Sequence, residues 1–411
     1  MKSDSRKQIH ENRFMNLFSR KEIKMMYSQS FHGFIFSAVI QGGHIVSKEW
    51  NKEISEAGLE RIKEDMPFIV RDIVDKQAAA QPALLLHDPK DRQSALADAG
   101  NHLDFLLSSI EMESRELFLH YNRWLFSRFD YLNLPADALQ LFYSCAKKTF
   151  EERYEEGRLE DALFSKLTDY IDFGTSSLDN DTNTAPPVGE ENPFAETLSL
   201  YRGFVFSGNR RSAAALVTGL SEKGTELRIL YKYIFQPFQL ELGDLWHKRQ
   251  ISVAQEHYAT AVSQLIMSLL YDRVFSTPKN GRILVGTCVA GELHEFGIRM
   301  ICDYMESCGW DTRYLGASMP DSAILDMVRI ARPHVVAISC TMTTNLPKAR
   351  SLIRLLKSEP EPASVIVGGF PFNQDGLLWK KVGADACSRD FEEALHVSNA
   401  LFDGQKLKGN L

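Results

Sequence analysis

Val289-Ala290-Gly291-Glu292-Leu293-His294-Glu295-Phe296-Gly297 is the stretch from which the rest of the chain can be read. An apolar run, Ile283-Leu284-Val285, precedes it, and an amphipathic run over 298–305 follows. Strand, glycine-bearing loop and helix in that order open an α/β unit, and such units take their ligands outside the carboxyl end of the strand. A glycine there lets backbone approach a bulky ligand closely, and the histidine brings a metal-competent imidazole to the crevice. Glu292, two residues earlier, is placed to hold the other ring nitrogen and so fix the tautomer. On these nine residues alone a solvated or hydrogen-bonded loop histidine is the commoner reading.

Outward from that loop, residues 279–411 alternate apolar runs with helical periodicity. Strands are predicted at 283–285, 312–315, 335–338, 364–367 and 384–386, and helices over 295–308, 321–331, 346–358, 374–382 and 390–402. Short connections between them mean a Rossmann-like, doubly wound parallel sheet covered on both faces. Ser339-Cys340-Thr341 follows the third main strand and Gly368-Gly369 the fourth. Strand-end capping and a plain turn are the ordinary readings of those two places.

Before the sheet, residues 194–278 read as four helices, enough for a small bundle. A third helix is predicted from 227 to 245. Ser252-Val253-Ala254-Gln255 has capping-box spacing, so a fourth helix should start there and run to Tyr271. The junction carries Trp246-His247 at one helix end and Glu256-His257 in the first turn of the next, an unusual way to close an apolar core.

Two patterns now carry a family resemblance. Glu292-x-His294-x-x-Gly297 resembles the Asp/Glu-x-His-x-x-Gly signature of cobalamin-binding domains. Trp246, nine residues, then Glu256-His257 is similar to the signature of adenosylcobalamin-dependent light-sensing repressors of the CarH/LitR type. The resemblance implies that His294 is the lower axial cobalt ligand. It also implies that Trp246 packs against the upper face of the corrin, that Glu256 and His257 line the adenosyl pocket, and that His247 takes the upper cobalt position after illumination. Ser339, Thr341, Gly368 and Gly369 would line the channel for the cofactor's nucleotide tail. Where the family often has Ser-x-Leu, this chain has Ser339-x-Thr341, so the tail contact differs.

Residues 1–173 look mostly helical, and 174–193, rich in Ser, Thr, Asn, Asp, Gly and Pro, reads as a linker. Aromatic residues are dense from 118 to 131. Phe118, Tyr121 and Trp124 are open to two readings, the aromatic core of a helical module or a flat pocket for a planar chromophore. The order His102-Leu103 then Phe118-x-x-Tyr121-x-x-Trp124 is similar to helical modules ahead of cobalamin domains in some bacterial light sensors, including those that also hold biliverdin. Repressors of the CarH/LitR type begin with a winged-helix DNA-binding domain, and this chain departs from them there.

Composition narrows the classes further. Apolar content of 44% and charged content of 25% are those of an ordinary soluble protein, and no apolar run reaches membrane-spanning length. A cytoplasmic protein is expected. Six cysteines, at 145, 288, 302, 308, 340 and 387, show no Cys-x-x-Cys spacing, which argues against a zinc knuckle or disulfide framework. A net charge of −7 gives no basic footprint for nucleic acid. What the resemblance implies is a cobalamin photoreceptor rather than an enzyme. It would act through a homo-oligomer or through a transcription-factor or signalling partner, with biliverdin as a candidate second chromophore. Alternatives are a methyl-carrying corrinoid protein for a methyltransferase system and a light-independent, cobalamin-responsive antirepressor.

Overall fold

The computed structural model describes residues 54–82, 89–132, 137–176 and 192–404. They belong to two compact units, divided between residues 185 and 186. The first unit is built from α1 (Glu56–Ala80), α2 (Pro89–Glu111), α3 (Arg115–Leu132), α4 (Asp137–Glu155) and α5 (Asp161–Ser176). Ser55 caps α1 by accepting from the Gly58 amide at 2.9 Å, and Arg153 on α4 reaches Asp65 on α1 at 2.8 Å. Phe118, Tyr121 and Leu125 share one face of α3 and have no exposed surface, as their i, i+3, i+7 spacing requires. The last helix continues to Ser176, so 174–176, expected in the linker, are helical, and residues 177–191 of the expected linker lie outside the described residues.

The second unit begins with a four-rod bundle. Its rods are α6 (Ala195–Phe206), α7 (Arg210–Glu222), a compound third rod, and α10 (Val253–Ser268). The third rod is α8 (Leu227–Leu230), a π-helical turn (Tyr231–Phe235) and α9 (Gln236–His247). The uniform helix predicted there is thus interrupted by a wider turn. Within it Tyr231, Ile234 and Phe235 are all fully buried, and the Tyr231 hydroxyl reaches Asp303 in the sheet layer at 2.9 Å. The predicted capping box is present: Ser252 accepts from the Gln255 amide at 3.3 Å and donates its own amide to Gln255 at 2.9 Å. Contrary to expectation α10 stops at Ser268. Tight i→i−3 bonds from the Leu269 and Leu270 amides end it, and Tyr271–Val274 forms a separate turn, α11.

The sheet layer follows. β1 (Ile283–Cys288), β2 (Asp311–Tyr314), β3 (Val335–Ser339), β4 (Ser364–Gly368) and β5 (Ala386–Cys387) pair in parallel in the order β2-β1-β3-β4-β5. Helix α12 (Phe296–Ser307) and a C-terminal helix, Phe391–Phe402, cover one face through Ile298, Cys302, Met305, Ala394 and Val397. α13 (Asp321–Ala331) and α14 (Leu346–Lys357) bury Ile324, Val328, Leu352 and Leu356. The helix predicted over 374–382 is two short pieces, Phe370–Gln374 and Leu378–Lys381. Between them Asp375 turns its carboxylate onto the Leu377 amide at 2.9 Å, which favours a turn over a helix. The last strand is Ala386–Cys387 rather than 384–386, because Asp385 uses its side chain on the Val365 amide at 2.6 Å.

Bundle and sheet layer share one core. Phe296, Met300 and Phe391 pack with Tyr201, Phe235 and Ile266 of the bundle, each large apolar side chain contributing about 1.5–3 kcal/mol of burial. Glu392 accepts from Arg228 at 2.8 Å and Lys232 at 3.0 Å across the same joint. Among the described residues no helix is long and apolar enough to cross a membrane.

Candidate functional site

The strand order reverses direction at β1: β2 lies on one side of it and β3 on the other. At such a switch point the loops after neighbouring strands diverge and leave a crevice. The loop after β1 carries Glu292 and His294, and the loop after β3 carries Thr341. Glu292 has no exposed surface. Its Oε2 accepts from the amides of Thr341 and Met342 at 2.9 Å each and from Asn345 Nδ2 at 3.2 Å. Its Oε1 accepts from the His294 amide at 3.1 Å and lies 2.5 Å from His294 Nδ1. Burial alone would raise this carboxyl, but the charge and hydrogen bond of His294 and the Met342 amide outweigh it and bring it down to about 2. An ionised carboxylate only accepts, so Nδ1 carries a proton toward Glu292, and whenever the ring is neutral its lone pair falls on Nε2, as a metal-ligating imidazole requires.

The neighbouring strand ends form a tight floor. Ser339 and Thr341 are nearly buried, and the Cys340 amide donates to the Gly368 carbonyl at 2.9 Å. Gly369 has φ +123°, and a Cβ there would stand 2.2 Å from the Cys340 carbonyl oxygen, so only glycine fits. Gly297, on the first turn of α12, is exposed, and a Cβ on it meets nothing within 4 Å. The open space over Gly297, three residues on from His294, and the close-packed floor at Gly369 suit a broad planar metal complex.

The bundle overhangs this loop. Gln264 on α10 donates to Glu295 at 3.1 Å, and Ser268, one turn on, accepts from Arg299 at 2.6 Å. Glu295 also accepts from the Tyr314 hydroxyl at 2.8 Å. The same α10 face continues backward through Thr260 to Glu256, whose carboxylate lies 3.1 Å from the Thr260 hydroxyl. The Thr260 hydroxyl also donates to Gln239 of α9 at 3.0 Å, so this end of α10 packs on the third rod, and Glu256 stands about 12 Å along the helix from Gln264. Trp246 and His247 are the last residues of α9, with Trp246 buried, Glu256 half-buried and His257 exposed. The chain leaves α9 through Arg249 at φ +55°, with the Gln250 amide bonded to the Leu245 carbonyl at 2.8 Å.

In the first unit the three aromatic candidates separate. Phe118 and Tyr121 are core residues: Tyr121 stacks on Phe105 with centroids 4.0 Å apart, and Phe118 meets Tyr143 edge-on at 5.8 Å. Trp124 keeps exposed surface. Asn345 and Lys348, both in contact with the site, were missed from sequence because they lie more than fifty residues from the groups they bond.

Residues 282–397 and residues 203–271 each match a family described as a B12 binding domain. Dimethylamine corrinoid protein 1 of Methanosarcina mazei is 32% identical over 132 residues, 31% of this chain and 59% of that protein. Dimethylamine corrinoid protein 3 of the same organism is 30% identical over 129 residues, 31% of this chain and 75% of that protein. The HTH-type transcriptional repressor CarA of Myxococcus xanthus is 29% identical over 156 residues, 38% of this chain and 54% of that protein. The chain thus spans about three fifths of the length of the first of these curated relatives.

Proposed function

Because the chain belongs to the family of B12-binding proteins, we propose that it is a light sensor that holds adenosylcobalamin with His294 as lower ligand and answers illumination by changing oligomeric state or partner. When bound, the cofactor supplies a cobalt–carbon bond that visible light breaks. The chain's own residues do the rest. Glu292 keeps the proton on Nδ1 of His294 and so presents Nε2 to the metal. Ser339, Thr341, Gly368 and Gly369 would bed the nucleotide tail. Trp246, Glu256 and His257 would line the pocket for the adenosyl group, and His247, at the end of α9, would supply a second imidazole after illumination. The signal is a change between two packings of the bundle, not turnover of a substrate.

What supports this reading is the junction of the two helices: Trp246-His247 closes α9, Glu256-His257 falls in the first turn of α10, and further along the same helix Gln264 bonds Glu295, next to His294. Absorbance of adenosylcobalamin-loaded protein in the dark and after green light, with a sizing column on both samples, tests it. A shift to a stable bis-imidazole spectrum with a changed elution volume is expected. A bilin on the first unit belongs to the same proposal, with Trp124 as the candidate ring that keeps exposed surface, and a red absorbance band in cell-purified protein is its sign. A second reading, a methyl-carrying corrinoid protein, is favoured by the resemblance to dimethylamine corrinoid proteins. Unchanged spectra and a single elution volume in both samples would transfer the assignment to it.

A further inference from the structure

We propose that Lys348 is a positioning residue for His294: acting through Asn345, it draws the charge of Glu292 away from the imidazole and so limits how strongly His294 binds a metal. This rests on the reading of His294 as the ligand. Lys348 sits in the first turn of α14. Its ammonium donates to the Ala290 carbonyl at 3.1 Å and to Asn345 Oδ1 at 3.1 Å. Asn345, itself buried, donates from Nδ2 to Glu292 Oε2 at 3.2 Å. An ammonium can only donate and a carboxylate can only accept. The amide between them therefore has one workable orientation, and each bond polarises the next in the same sense.

The consequence falls on the division of labour within one carboxylate. Oε2 takes two backbone amides and the polarised Asn345, while Oε1 serves His294. Pulling electron density toward Oε2 makes Oε1 a weaker acceptor for the Nδ1 proton, and a less anionic ring is a weaker donor at Nε2. The loop is shaped to admit the lysine. Gly291 has φ +82°, and a Cβ on it would stand 2.9 Å from Nζ of Lys348. Asp321 also feels this ammonium, which works to lower a carboxyl that burial raises.

Two effects of Lys348 predict opposite signs, and that makes the inference testable. If the lysine only pins the Ala290 carbonyl, its removal loosens the loop and weakens cofactor binding. If it tempers Glu292, removal strengthens the imidazole as a ligand. The experiment compares wild type, Lys348→Met and Lys348→Arg in two measurements. In cofactor-free protein labelled with ¹⁵N-histidine, the Nδ1 proton of His294, assigned with a His294→Gln control, should move downfield in Lys348→Met and return in Lys348→Arg. With hydroxocobalamin as probe, Lys348→Met should bind roughly twofold to threefold more tightly, a modest change because the lysine is exposed to solvent screening. An unmoved proton, or binding that is unchanged or weaker in Lys348→Met, overturns the proposal. Failure of the wild type to bind the corrinoid would instead strike at the function proposed above, while the proton shift in cofactor-free protein still decides the role of Lys348.

Discussion

Two imidazoles are placed under cover in this molecule by opposite means. His294 lies on a loop with its side chain 11% exposed, and its Nδ1 faces a carboxylate that has no exposed surface. His102 lies inside α2, is hydrogen-bonded through Nδ1 to the Tyr121 hydroxyl, and stands edge-on to Phe142 with centroids 4.9 Å apart. Burial drives His102 down to about 3, so in the folded chain it stays neutral well below its ordinary 6.5. Beside His294 the buried charge rests on Glu292 instead. A carboxylate behind the ring prepares it to donate to a metal, whereas a phenol behind a ring in an aromatic core satisfies one buried polar group and holds helices together. Surroundings, not residue type, separate the two roles.

The severest way to break this contrast is Glu292→Gln. Five donor groups converge on that carboxylate, from Thr341, Met342, Asn345 and twice from His294. An amide of the same shape must turn an NH₂ toward some of them and leaves buried donors unsatisfied, at a cost of on the order of 3 kcal/mol. Denaturant unfolding followed by hydrogen exchange should show the sheet layer weakened while amides around His102 keep their protection. A cost below about 1 kcal/mol would mean that the carboxylate is not the keystone of the loop.

Acid separates the two surroundings in the next largest way. His102 binds its proton in the unfolded chain near the ordinary 6.5 but in the folded chain only near 3. Its neutral burial is therefore fully tolerated above 6.5, and stability is lost as pH falls from 6.5 toward 3, by about 2 kcal/mol at pH 5. His120, lowered to about 4 by burial and then by Arg123, adds to the same window. Glu292 runs later: with its folded value of about 2 below the ordinary 4.5, its contribution is present above 4.5 and fades only as pH falls toward 2. Whatever His102→Phe costs at pH 7, that cost should shrink by about 2 kcal/mol at pH 5. Equal costs at both pH values would contradict a neutral, proton-refusing His102.

What the sequence made legible follows the range of the interactions involved. The Glu292–His294 contact and the Ser252–Gln255 capping box are two and three residues long, and spacing alone places them. Parallel strands with both faces covered announce themselves as apolar runs, and all five were found to within a few residues. Asn345 and Lys348 were invisible because their partners are supplied by topology, across 53 and 58 residues. The π-helical turn at Tyr231–Phe235 was hidden for a different reason: a single wider turn leaves the helical apolar period nearly intact. Phe118 and Tyr121 left two readings open since helical periodicity marks an inward face without saying whether side chains or a ligand fill it.

The smallest effect is expected where neither imidazole is involved, and it calibrates the other two. Ser252 caps α10, the helix that carries Glu256 and His257 in its opening turns and reaches Glu295 through Gln264 further along. Ser252→Ala removes the acceptor for the Gln255 amide and leaves Gln255 half of its reciprocal pair, which should cost about 1 kcal/mol. The loss falls on the first turn, because helix ends fray locally, while the rungs from Gln264 to Glu295 and from Arg299 to Ser268 lie three turns and more away. Hydrogen exchange should therefore quicken at the start of α10 and remain slow at the His294 loop, with the Nδ1 proton of His294 unmoved. If that proton shifts as well, the helix junction and the loop are mechanically one body, and the contrast between a carboxylate-held and a phenol-held histidine must be widened to include the helix above the first of them.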